Sequence, residues 1–80
     1  MVCRVGITTR PEQRKQEWKR KVDGLRNWQI LAKRQNREDA QNLENQYAKQ
    51  YGCKASGGGN DPDGPNETWS VYRFDYDSEK

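Results

Sequence analysis

Apolar positions along this chain come in short groups separated by polar or glycine-rich stretches, and each group predicts one element. Val2 to Ile7 predicts a short strand with Gly6 near its end. Thr8-Thr9-Arg10-Pro11-Glu12 predicts a helix start, because Thr9 and Glu12 have capping-box spacing and Pro11 fits a first turn. That helix is expected to run to about Val22 and to stop before Gly24. Its apolar stripe is thin: Trp18 and Val22, four apart, with the aliphatic stems of lysines beside them. Trp28-Gln29-Ile30-Leu31-Ala32, within Asn27 to Lys33, predicts a second strand. A second helix is expected from about Arg37 to Tyr51, with Asn36 as N-cap and Gly52 as the stop. Ala40, Leu43, Tyr47 and Tyr51 fall on one face of it at helical spacing. Residues 54–66 read as a flexible Gly/Asp/Pro loop. Trp69 to Phe74 is aromatic and β-branched and predicts a third strand. Trp69, Val71 and Arg73 point one way along it, and Ser70, Tyr72 and Phe74 the other. Residues 77–80 read as a loose tail.

Eighty residues make one domain, here residues 1–76, and a hydrophobic content of 30% makes its core small. A domain of this size buries only roughly 60% of the surface of its unfolded chain. Trp18, Trp28 and Trp69 are therefore expected to carry much of the burial. No apolar run approaches the ~20 residues of a spanning helix, and no apolar stretch follows Met1, so the expectation is a cytoplasmic protein with no membrane partner. In that compartment Cys3 and Cys53 are expected to be free thiols rather than a disulfide. The chain has no histidine, which excludes Ser–His and Cys–His catalysis and weakens any zinc site. Gly57-Gly58-Gly59 is followed by no Gly-Lys-Ser/Thr and is not a phosphate-binding loop.

Charge divides the chain more sharply than its total of +3 implies. Residues 1–37 hold 11 Lys/Arg and 3 Asp/Glu, a balance of +8; residues 38–80 hold 4 and 9, a balance of −5. The basic half has two readings: a surface that attracts phosphates, or the solvated face of a helix. Arg14 lies one turn before Trp18, either snorkelling over it or gripping a phosphate with its planar fork. Arg10, Lys15, Lys19, Arg20 and Lys21 supply flanking charge, suited to positioning a nucleic-acid backbone rather than reading bases. Glu44 falls within the apolar arc of the second helix. It is either a rim residue paired with a cation of the first helix, or a metal ligand of the kind that holds Mg²⁺ with few carboxylates and a substrate phosphate.

The order of strand, Arg-bearing helix, strand, Glu-bearing helix and Asn-bearing loop resembles the GIY-YIG nuclease domain. Arg4-Val5-Gly6 sits where that family has Tyr-Ile-Gly, and Arg14, eight residues after Gly6, resembles the family arginine. Glu44 resembles the metal-binding glutamate, and Asn60 the asparagine beyond it. Ser70-Val71-Tyr72 is similar to the Gly-Ile-Tyr strand that the family places first, which implies a circular permutation with Tyr72 in the place of the first tyrosine. The resemblance implies a small α+β fold, a three-stranded, mostly antiparallel sheet packed with two main helices. Residues 2–7 would form the central strand, between residues 28–33 and 69–75. It also implies a nucleic-acid-binding protein, for DNA or RNA, with a site of Arg4, Arg14, Glu44, Asn60 and Tyr72 and with Mg²⁺ held by Glu44. Arg4 in place of a tyrosine removes an activating hydroxyl. The function implied is thus either a Mg²⁺-dependent endonuclease with an altered site or a phosphate binder. The alternative, from another class, is a non-catalytic inhibitor or adaptor from a mobile element that binds a protein through this nuclease-like scaffold.

Overall fold

The computed structural model describes residues 2–55 and 68–80. Its elements are β1 (Val2–Thr8), α1 (Pro11–Lys21), β2 (Val22–Asp23), β3 (Arg26–Arg34), α2 (Arg37–Tyr51), β4 (Lys54–Ala55), β5 (Trp69–Tyr76) and β6 (Ser78–Glu79). The fold is α+β, with a mixed four-stranded sheet in the order β3-β5-β1-β4 and a separate two-stranded pairing of β2 with β6.

Strand β5 is buried along all of its length except Arg73, which is half-buried. Such a strand needs neighbours on both edges and cover on both faces. It pairs antiparallel with β1, Val2 opposite Tyr76 and Thr8 opposite Ser70. It pairs antiparallel with β3 on its other edge. The expected order, with residues 2–7 between the other two strands, is therefore corrected: residues 69–76 lie between β1 and β3. The expected pairing of residues 69–75 with residues 2–7 is present. The sheet also gains a fourth strand, β4, parallel to β1 through Arg4↔Lys54 and Val5↔Ala55.

Strict alternation along β1 and β5 sorts the core into two layers. Val5, Ile7, Val71 and Trp69 pack with Ala40 and Ala48 of α2. Tyr72, Phe74 and Tyr76 pack with Val22, Trp18 of α1 and Trp28 of β3. The two helices thus cover opposite faces of the sheet. Helix α1 has no fully buried residue, so Trp18 is its main anchor. Thr9 does not cap α1; the N-cap is Arg10, whose backbone N–H donates to Thr8 Oγ1 at 3.0 Å. Helix α2 matches its expected bounds: Asn36 Oδ1 accepts from the Asp39 N–H at 2.8 Å, and Gly52 ends the helix at φ 68°. Register shifts interrupt β3 between Arg26 and Gln29 and between Ile30 and Ala32. At the first, Asn27 adopts φ 56° and its side-chain amide donates to Asp75 Oδ2 at 2.9 Å.

Two further expectations change. Residues 77–80 are not a loose tail: Ser78 and Glu79 pair with Asp23 and Val22, and the Lys80 N–H donates to the Lys21 carbonyl at 2.9 Å. Cys3 and Cys53 are not free thiols but a disulfide, with Cα atoms 4.8 Å apart. The parallel β1–β4 pairing brings these residues together from 50 positions apart, a proximity that no local pattern encodes.

Candidate functional site

The candidate site begins at Gly6. Its missing side chain leaves room for the tip of the Tyr72 ring, which a Cβ at Gly6 would strike. Tyr72 is held there on two further sides. Trp28 stacks on it with centroids 4.7 Å apart at 15°, and its hydroxyl accepts a hydrogen bond from Trp18 Nε1 at 2.9 Å. Tyr72 is 1% exposed, so it serves as packing and as an anchor for α1.

Two residues before Gly6, Arg4 emerges on the same face. Its guanidinium lies 5.1 Å from the Trp18 ring centroid and 5.9 Å from that of Tyr76. Both positions are within cation–π range, so the fork is held between two rings. Lys21 Nζ lies 5.2 Å from the Trp18 centroid. Arg4 also pairs with the carboxylate of Glu79 on β6. Arg4, Trp18, Arg20, Lys21, Glu79 and Lys80 line a cleft of about 450 Å³. Four cationic side chains thus face one carboxylate, an arrangement suited to an anionic ligand. Lys19, Arg20 and Lys21 also occupy the last turn of α1, where positive charge offsets the helix dipole. That structural role and anion binding are compatible.

The other sequence-predicted residues are more dispersed. Arg14, on α1 one turn before Trp18, donates to Glu17 Oε1 at 3.0 Å. Arg10 donates to Gln13 at 3.5 Å, Lys15 is half-buried, and Lys19 is exposed. Glu44 is 1% exposed on α2 between Ala40 and Ala48, and its carboxylate accepts from the Gln41 side chain. It therefore comes from the helix that covers the Val5 and Val71 face, whereas Arg4 and Tyr72 lie on the α1 face. Asn60 and most of the loop expected at 54–66 lie outside the described residues. Among the described residues, no three His, Cys, Asp or Glu side chains gather into a metal-binding group. Glu44 supplies one hard oxygen donor, and the water and phosphate that would complete a Mg²⁺ site would have to reach a residue that is 1% exposed.

Glu79 and Lys80 were not sequence candidates. Their part in the cleft depends on the β2–β6 pairing, and strands of two residues carry no hydrophobic period.

Comparison of the chain with protein-family models, curated proteins and solved structures finds no match. Among the described residues, no helix is long and apolar enough to cross a membrane.

Proposed function

We propose that this chain is a nucleic-acid-binding protein of the GIY-YIG type that engages backbone phosphates. The observation that carries this reading is the cleft in which Arg4, Arg20, Lys21 and Lys80 face a single carboxylate. The antiparallel pairing of β5 with β1, with Gly6 opposite Tyr72, supports the permuted GIY-YIG arrangement. Arg4 occupies the family's second tyrosine position, so the residue there is a phosphate-gripping fork rather than a hydroxyl. Binding through such contacts is insensitive to sequence and weakens steeply with salt. Fluorescence anisotropy with short DNA and RNA oligonucleotides tests this. Salt-sensitive affinity that falls in the Arg20→Gln/Lys21→Gln variant is expected. Absence of binding at low salt, with capture of one acidic protein instead, would favour the protein-binding adaptor.

A second reading, Mg²⁺-dependent endonuclease, rests on Glu44, a carboxylate on α2 that accepts from the Gln41 side chain and is a hard oxygen donor of the kind Mg²⁺ takes. Glu44 would hold the ion, which when bound supplies Lewis-acid polarisation of a phosphodiester. In this reading Mg²⁺ or Mn²⁺ supports cleavage in the wild type, and Glu44→Gln abolishes it while the circular-dichroism spectrum stays unchanged. Cleavage that survives Glu44→Gln removes that residue from the mechanism.

The expected cytoplasmic location implied free thiols at Cys3 and Cys53, whereas the two form a disulfide, and disulfides persist mainly in oxidising compartments. Alkylation followed by mass spectrometry of protein taken directly from cells distinguishes the two settings: labelled Cys3 and Cys53 support the cytoplasm, and unlabelled ones an oxidising compartment.

A further inference from the structure

We infer that the guanidinium of Arg4 is an anion subsite for a ligand phosphate, and that Glu79 occupies it as an internal competitor. Three observations converge. The fork is fixed between the Trp18 and Tyr76 rings, so its direction is set before any ligand arrives. Its partner, Glu79, comes from a strand of two residues on a two-stranded pairing at the rim of the fold. The Glu79 side chain is 48% exposed, whereas that of Arg4 is 17% exposed. The anion is thus on the solvent side of a preformed cation. A carboxylate and a phosphate offer the same fork two oxygens in similar geometry. Arg20, Lys21 and Lys80 line the same cleft and would compensate a ligand of greater charge than a carboxylate. A phosphate entering the cleft exchanges with Glu79, which swings into water at little cost because a partly exposed ion pair is weak. This inference rests on the nucleic-acid reading only for the source of the phosphate.

The test follows the Arg4 Nε–H and Glu79 amide resonances by NMR while pyrophosphate, and separately a short oligodeoxynucleotide, is added at constant ionic strength. Both resonances are expected to shift together and to saturate. Glu79→Gln is expected to bind about fivefold more tightly, the worth of one partly exposed ion pair. Asp77→Asn removes an equal charge from an acid that pairs with Arg26 and does not line the cleft, and is expected to leave affinity nearly unchanged. The inference is overturned if neither ligand shifts Arg4, if Glu79→Gln binds no more tightly, or if Asp77→Asn gains as much. Pyrophosphate binding without oligonucleotide binding would keep the subsite and reject the nucleic-acid reading. Oligonucleotide binding that leaves Arg4 unshifted would do the reverse.

Discussion

Gly6→Ala places a methyl group against the Tyr72 ring tip, and that ring has no free direction in which to retreat. Trp28 stacks on it, and Trp18 donates to its hydroxyl. Overpacking of this kind costs about 1–3 kcal/mol, and the expected result is a lower urea midpoint. An unchanged midpoint would mean that Tyr72 is not confined as described. Tyr72→Phe keeps the ring but leaves the Trp18 N–H without this acceptor, at a cost of about 1–2 kcal/mol. The same variant separates packing from chemistry, since reduced stability with undiminished oligonucleotide affinity identifies Tyr72 as a scaffold residue. At this scale the sequence placed Gly6, Tyr72 and Arg4 on one structural theme but did not foresee how closed Tyr72 is. Its burial depends on Trp28, which reaches it only because β3 pairs with β5.

Elements differ in how much of their placement is local. Helix α2 was legible to the residue because its cap, its period and its stop all lie within the segment. Asn36→Ala removes the bond to the Asp39 N–H and should cost about 1 kcal/mol, measurable as a drop in thermal midpoint. A neutral result would mean that the cap is replaced by water without loss. Helix α1 was legible in extent but not in its cap, since Thr8 rather than Thr9 supplies the hydroxyl near its start. The strand order was only partly legible. The burial of β5 on both faces implies a central position, whereas β4 and β6 are too short to show a pattern. The disulfide depends on β4 and was missed with it. It closes a long loop, and the chain-entropy account assigns such a cross-link about 4 kcal/mol. Reduction is therefore expected to lower stability strongly in a domain whose core is this small. A thermal midpoint unchanged by reductant would show that β1 and β4 hold together without it.

Across the whole molecule, the +8 and −5 halves do not remain segregated in space. The acidic half returns along β5 and β6 and places Glu79 against Arg4, Asp77 against Arg26 and Lys80 near Asp23. What remains uncompensated in the cleft is the charge of Arg20 and Lys21, beside the Arg4–Glu79 pair and a Lys80 that pairs with Asp23. If about three phosphates are neutralised, the logarithm of single-strand affinity should fall with the logarithm of salt at a slope near −2. The salt titration of oligonucleotide affinity in wild type and in Arg20→Gln/Lys21→Gln tests the central claim most directly. The predicted result is a slope near −2 in the wild type, reduced by about 1.4 in the variant. A wild-type protein that does not bind at low salt, or a slope that the variant leaves unchanged, would contradict it.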